Sequence, residues 1–170
     1  MKLLQQNPRL TTTQNGAALS STVISLPDSF MPASDSSPIV EGLTTVPSCF
    51  GPKETMDRLE NEVRSNGMDV FARIDHAAGA AKIGLTLPPT NLIIFGNARG
   101  GTPLMQSVQT IGIDLPLKVL VWEDAGGKTW LSYNVPSWIA RRHGLRNAEQ
   151  VVSKMGAALS AIARKAANSN

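Results

Sequence analysis

The sequence predicts an α+β domain with two layers, in which a mainly antiparallel sheet is covered by helices. The segment 116–123 carries alternating apolar residues, and a turn at 124–127 leads the chain back into a second strand, as in a hairpin. Helical apolar spacing occurs before this hairpin, at 54–64, and after it, from Asn147 onward. Helices at both ends of a hairpin-containing sheet favour this class over a doubly wound parallel sheet.

The folded part of the chain is predicted to be one domain, over residues 44–168. A chain of 170 residues can bury one core but is short for two ordinary domains. Residues 1–43 are rich in Ser, Thr, Gln, Asn and Pro, with Pro27, Pro32 and Pro38 spaced through a polar stretch. Such a composition buries too little apolar surface to offset the entropy of ordering the chain. We therefore expect a flexible N-terminal extension.

Charge and composition argue against several classes of function. The formal net charge is +3, and the basic residues are scattered apart from Arg141, Arg142 and Arg146, without the motifs of a nucleic-acid binder. Cys49 is the one cysteine, so neither an intrachain disulfide nor a cysteine-rich zinc site is expected. No apolar run reaches the roughly 20 residues of a transmembrane helix, and a convincing signal peptide is missing. We expect a cytoplasmic protein that binds no nucleic acid.

Local signals place the first elements of the domain. An edge strand is expected at 42–48, because Pro47 lacks the N–H that an inner strand needs. A helix follows at 54–64, with its apolar residues on one face and acidic residues in its first turn. A strand is expected at 70–74. The low-bulk segment 77–83 is either a short helix or a close-packed turn.

A buried strand and a helix are expected next. The continuous apolar run 92–95 is typical of a strand that is covered on both faces. A glycine loop at 96–101 follows, and then a helix with Thr102 as its cap and Pro103 in its first turn. Gly112 is expected to end that helix.

The hairpin predicts how the sheet is covered. Its strands, at 116–123 and 128–135, carry large apolar residues on both faces. The sheet is therefore expected to be covered by helices on one side and by a partner chain on the other. A short helix with Ser137 as its cap and a long helix from Asn147 complete the domain.

An Asp-His pair at the mouth of a strand is the strongest candidate site. Asp75 and His76 follow the strand at 70–74 and precede five small residues. Ala78 and Gly79 leave room for a flat molecule against the backbone, and a neutral imidazole that Asp75 or a carbonyl orients is a good iron ligand. The alternative is a structural histidine whose hydrogen bonds are satisfied at the strand end.

Three other features are weaker candidates. His143, beside Arg141 and Arg142, either helps to cap a helix end or holds an acidic group such as a haem propionate. Met105 is a core residue by default and could also line a cavity. The loop at 96–102 directs N–H groups towards a helix start, where anions can bind, although a tight structural turn is the simpler interpretation.

Several short sequence segments, in a fixed order along the chain, match one family. They are Glu54-Thr55, Ile74-Asp75-His76-Ala77-Ala78-Gly79-Ala80, Leu87-Pro88-Pro89-Thr90, Ile94-Phe95-Gly96-Asn97, Gly101-Thr102-Pro103-Leu104-Met105, Asp114-Leu115-Pro116-Leu117-Lys118 and Trp130-Leu131-Ser132-Tyr133. From about Val46 to Ile162 the chain resembles the DUF302 family of α+β domains. It departs from the family at Ala98, where similar members usually carry proline.

The resemblance implies a compact domain that pairs as a homodimer, and it implies no particular reaction. Some relatives bind haem through a histidine near the dimer interface, and His76 is the matching residue. Our first hypothesis is a non-catalytic, homodimeric ligand-binding domain with haem or a similar flat cofactor, for which His76 is the axial donor. The alternatives are an enzyme that uses Asp75 and His76 as an acid-base pair on a small substrate, and a protein-interaction module without a ligand.

Overall fold

The computed structural model describes residues 40–168, so the expected flexible extension lies outside the described residues except for its last four positions. The elements in chain order are β1 (Leu43–Pro47), α1 (Pro52–Ser65), β2 (Asp69–Asp75), α2 (His76–Ala81), β3 (Thr90–Gly96), α3 (Ala98–Ser107), a 3-10 helix (Gln109–Ile113), β4 (Leu117–Glu123), β5 (Thr129–Asn134), α4 (Pro136–Arg142) and α5 (Glu149–Ala167). Within the described range, no helix is both long and apolar enough to span a membrane.

All five strands belong to one sheet with the order β1-β5-β4-β3-β2. Every neighbouring pair is antiparallel, and β4 and β5 form the predicted hairpin. The α+β prediction is therefore confirmed. β1 is an edge strand, as Pro47 indicated, and β2 forms the other edge.

One face of the sheet, which we call the closed face, carries the core. The apolar stripes of α1 and α5 pack against it. The fully buried members of this core include Met56, Leu59, Val63, Ile93, Phe95, Val119, Val121, Leu131, Leu159 and Ile162. Because side chains alternate along a strand, each of these strand residues sends its neighbours to the opposite face.

The opposite face, which we call the open face, is apolar but only half-buried. Its central side chains are Leu92, Ile94, Leu120, Trp122 and Trp130. The rings of Trp122 and Trp130 stack, with their centroids 6.1 Å apart. Among the described residues of this face, Ser132 has the only buried side chain. The sequence expectation of a sheet with two apolar faces is confirmed, and within residues 40–168 helices cover one of them.

Two predicted helix starts are wrong. α3 begins at Ala98, inside the expected glycine loop, because the Asn97 side chain accepts a hydrogen bond from the N–H of Gly100 and caps the helix five residues before Thr102. Thr102 and Pro103 therefore lie inside the helix. α4 begins at Pro136, and its cap position is Val135, without a side-chain hydrogen bond, instead of Ser137. Proline is favoured at the first helical position, where an N–H would have no partner in the helix, and the N–H of Trp138 donates to the carbonyl of Val135.

Candidate functional site

The Asp-His junction lies at the end of the edge strand β2. His76 is the first residue of α2 and its side chain is exposed. The Asp75 carboxylate accepts a hydrogen bond of 2.8 Å from the N–H of Ala78, which caps α2. Ala78 and Gly79 are exposed as well, and a Cβ added at Gly79 would meet no atom within 4 Å. The space beside His76 that the small residues predicted is therefore present and faces solvent.

The surroundings of His76 are unusually apolar for an exposed region. Ile74, directly before the junction, is 39% exposed, and the connection from α2 to β3 exposes Ile83, Leu85 and Leu87 still more. Ile74 pairs with Leu92 across β3 and so belongs to the open face. His76 thus lies at the border between the open face and a second group of exposed apolar side chains.

His143 has a different environment. Its Nε2 lies 2.7 Å from a carboxylate oxygen of Asp114, and its Nδ1 lies 3.3 Å from the hydroxyl of Thr110. Arg142 reaches the other oxygen of Asp114 at 3.3 Å. Both ring nitrogens of His143 are therefore engaged, and together they tie the end of α4 to the 3-10 helix.

A cavity of about 640 Å³ lies where β3 ends and α3 begins. Its walls come from the first residues of β4, from α3 and from one side of α5. Most of the lining is carbon, and its large apolar members include Phe71, Phe95, Met105, Leu115, Leu117 and Met155. Its size and apolar character are typical of small-molecule sites. Met105 lines this cavity, as one of its two sequence interpretations allowed.

The charged side chains that line the cavity are both positive. Arg99 at the start of α3 and Lys154 on α5 are its charged lining residues, and Asn97 and Thr102 add neutral polar groups. No Asp or Glu of the described residues lines it. The ion pairs of residues 40–168 all involve other side chains than Arg99 and Lys154. The cavity therefore combines an apolar interior with a positive rim.

The cavity and His76 lie at opposite ends of β2. Asp69, the first residue of β2, pairs with Gly96 beside the cavity, whereas Asp75 pairs with Asn91. Seven residues of strand at about 3.3 Å each place the two ends roughly 20 Å apart. The six predicted binding residues therefore fall into three places: Asp75, His76, Ala78 and Gly79 at the junction, Met105 in the cavity, and His143 at the end of α4.

The displaced pKa values lie outside these three places. Hydrogen bonds from Lys53 and Arg73 hold the pKa of Asp57 below its usual value, and bonds from Arg64 and Arg73 do the same for the pKa of Glu60. Both carboxylates lie on α1. In the described part of the chain, no group of three or more His, Cys, Asp or Glu side chains could hold a metal ion.

The sequence did not predict that these residues line one cavity. Arg99 was part of an expected loop, and Lys154 stood among the apolar residues of the last helix. The one signal in the sequence that points to this cavity is the loop at 96–102, a candidate anion site. It did not reveal that α5 passes beside that loop, because this contact joins segments about fifty residues apart.

Comparison with known proteins identifies one family. The model of the family described as "Domain of unknown function DUF302" matches residues 44–162, which is more than half of the chain. The resemblance seen in the sequence ended at about the same residue. The match includes every strand except the first residue of β1, and it includes the cavity and both histidines.

Two relatives from Brucella carry a functional name. "Fluoride-specific ion channel FluC 1" of Brucella suis biovar 1 is 52% identical over 116 residues, which are 68% of this chain and 46% of that protein. "Fluoride-specific ion channel FluC 2" of Brucella melitensis biotype 1 is 52% identical over 116 residues, which are 43% of its length. The chain thus spans less than half the length of these relatives.

A solved structure shares the fold. The crystal structure of a DUF302 protein from Bacillus stearothermophilus matches with a TM-score of 0.68, covering 75% of this chain and 99% of the other. The two sequences are 19% identical, so the likeness concerns the fold alone.

Proposed function

Because the chain belongs to the DUF302 family, whose description names no activity, we propose from its own geometry that it is a non-catalytic domain that binds one small, largely apolar ligand and works as a homodimer. The cavity of about 640 Å³ at the start of α3 carries this proposal. The polar groups support binding over acid-base catalysis, since the Asp75 carboxylate caps α2 and His143 is held by Asp114. Haem or a similar flat cofactor is the leading ligand.

The open face supports the homodimer. Leu92, Leu120 and the two stacked tryptophans form a half-buried apolar surface across three strands. The one charged side chain in its middle, Lys118, donates to the carbonyls of Asp114 and Pro116 in its own chain. An apolar surface whose lysine already has hydrogen-bond acceptors in its own chain suits permanent pairing with a second copy.

Sedimentation equilibrium tests the pairing. We expect a dimer for the wild type and a monomer for Leu120→Glu, because the new carboxylate would be buried without a partner in the interface. Ile113→Glu, at a residue that is 75% exposed and belongs to the 3-10 helix, is the matched control and should stay dimeric. A wild type that remains monomeric at its highest soluble concentration would contradict the homodimer.

His76 is the proposed haem donor within this dimer. Its exposed ring and the small residues beside it leave one side open for a flat cofactor, and Ile74 and Ile83 supply apolar contacts. One chain supplies only one wall, so the second wall would come from the partner across the open face. When bound, the iron would supply gas-binding or redox chemistry. The cavity offers Met105 as a second possible donor, without any histidine.

Absorption spectra during haemin addition separate these sites. A Soret band that saturates at a fixed ratio and is lost in His76→Ala places the haem at the junction. Loss of the Soret band in Ala158→Trp, a substitution that fills the cavity from α5, places the haem beside Met105 instead. Gln150→Trp is the control for a new tryptophan on an exposed position of α5. A broad band of free haemin in all four proteins would rule out haem as the ligand.

A second candidate is an interaction module that acts with a fluoride channel. It is favoured by the 52% identity to proteins with that name, in which the matched stretch is less than half of the chain. In this candidate the protein is cytoplasmic and contacts a channel from outside the bilayer. Fluoride efflux from liposomes that hold the Brucella suis relative without its matched residues should change when the purified chain is added. An unchanged rate at saturating protein would exclude this candidate.

A further inference from the structure

We infer that the cavity takes an anionic amphiphile, whose apolar body enters between β3, β4 and α5 and whose carboxylate or phosphate stays at the rim with Arg99 and Lys154. This inference rests on the proposed ligand-binding function and names the chemical class of the ligand. It follows from how apolar and charged groups are distributed around one cavity.

The interior of the cavity suits an apolar body. Phe95 is fully buried at its base, and Leu115 and Met155 are half-buried members of its walls. Leu115 and Met155 also connect the main core to the small cluster of Leu104, Ile111 and Ile139. The cavity therefore lies where two apolar clusters meet, and a hydrocarbon there would be in contact with carbon on several sides.

The rim suits an anion. Arg99 and Lys154 approach from different helices, and both side chains are exposed. Elsewhere on the domain, cations such as Arg73 and Arg142 meet carboxylates of the chain itself. Among residues 40–168, no carboxylate that lines the cavity offsets the two charges. A bound anion would supply the missing opposite charge.

The backbone at the start of α3 adds to this preference. The N–H of Gly100 donates to the side-chain and carbonyl oxygens of the cap residue Asn97, and the N–H of Gly101 donates to the same carbonyl. The N–H groups of Ala98 and Arg99 thus precede the bonded turn, at the positive end of the helix dipole. Gly100 and Gly101 also leave space, because a Cβ at Gly101 would reach only ordinary contact with Met105 and one at Gly100 would meet nothing within 4 Å.

Two kinds of ligand combine an apolar body with an anionic group. A fatty carboxylate or an alkyl phosphate has one head group on a flexible chain, whereas haem has two propionates on a rigid ring. Both are apolar bodies with an anionic group. The test therefore compares simple alkyl amphiphiles, in which the head group alone varies, with haemin in a separate titration.

Calorimetric titration of the full-length protein is the experiment, with dodecanoate, dodecyl phosphate, dodecanol and dodecyltrimethylammonium below their micellar concentrations. We expect the two anions to bind about tenfold more tightly than the cation, since two exposed charge contacts are each worth up to about 1 kcal/mol. The double variant Arg99→Glu/Lys154→Glu should lose or reverse this preference. Lys82→Glu/Arg146→Glu, which makes the same change of charge at exposed residues outside the cavity, should keep it.

The outcomes separate the head-group inference from the proposed function. Equal binding of all four amphiphiles, blocked by Ala158→Trp and not by Gln150→Trp, would overturn the anion preference and leave the ligand-binding cavity in place. No binding of any amphiphile or of haemin, or binding that Ala158→Trp leaves unchanged, would overturn both. Thermal unfolding of each variant shows that it is folded, and Ala158→Leu replaces Ala158→Trp if the larger side chain prevents folding.

Discussion

The two faces of the sheet are made by the same strands and differ in what covers them. Val119 and Val121 on the closed face are fully buried against α1 and α5, whereas Leu120, between them in the chain, is only half-buried on the open face. Alternation along a strand decides which side chains share a face. Whether that face is buried depends on elements distant in the chain, so identical apolar spacing can end in a core or in a contact surface.

The open face also contains a polar network. The Ser132 hydroxyl accepts a hydrogen bond of 2.9 Å from the indole N–H of Trp122 and lies 2.9 Å from the hydroxyl of Thr45. The indole N–H of Trp130 donates to Asp124 at 2.7 Å. Within residues 40–168 no buried side-chain nitrogen or oxygen lacks a partner. The indole N–H groups of Trp122 and Trp130 therefore already have acceptors within the chain and need none from a surface that covers this face.

Truncating one leucine on each face gives the largest expected difference. Leu131→Ala on the closed face should lower the free energy of unfolding by about 2–5 kcal/mol, because Leu131 is fully buried and its loss leaves a cavity. Leu120→Ala should cost about 1 kcal/mol in the monomer, because much of its apolar surface already meets water. Urea unfolding of both variants at low protein concentration measures the two values.

The same pair of variants sharpens the dimer proposal. If a second copy covers the open face, the free energy of unfolding that Leu120→Ala loses should grow with protein concentration. The free energy that Leu131→Ala loses should not. Equal losses for the two leucines at low concentration would show that the open face is already buried in the single chain, contrary to its half-buried side chains.

Most of the fold was predictable because it depends on local periodicity. The spacing of Met56, Leu59 and Val63 gave α1, and the alternation from Leu117 to Trp122 gave β4 and the face of each of its residues. The start of α3 was missed because two signals competed. Thr102-Pro103 is a good helix start, but Asn97 is another, and only the packing of the whole helix decides between them.

The candidate sites were predictable one segment at a time. The Asp75 cap and the open space beside His76 involve neighbouring residues, so the sequence contained enough information for both. The cavity combines β3, β4, α3 and α5, and no spacing rule connects Arg99 with Lys154. The same limit applied to His143, whose partner Asp114 is 29 residues away.

The polar network of the open face predicts a smaller effect. Ser132→Ala removes the acceptor of the Trp122 N–H in a place where Ser132 is only 6% exposed. The free energy of unfolding should fall by about 1–3 kcal/mol, the cost of leaving a buried donor unpaired. In a Trp122→Phe background the same substitution should cost less, because the donor is gone. Ser153→Ala on exposed α5 is the control, and a cost of Ser132→Ala that is equal in both backgrounds would mean that the hydrogen bond contributes nothing.

The smallest expected effect depends on pH, at the hairpin end of the open face. The indole N–H of Trp130, together with the N–H groups of Lys128 and Gly126, holds the pKa of Asp124 below its usual value. A lowered pKa in the folded state means that the ionised carboxylate stabilises the fold above the unfolded-state pKa of about 3.9, and that this contribution is lost as the pH falls through the folded-state value.

Asp124→Asn should therefore lower the urea midpoint at pH 7 more than at pH 2.5. The difference between the two pH values should shrink in a Trp130→Phe background, because that substitution removes the N–H that lowers the pKa most. A midpoint difference that stays constant from pH 7 to pH 2.5 would show that Asp124 acts through the shape of the turn and not through its charge. The stacking of Trp130 on Trp122 would then be what fixes this end of the open face.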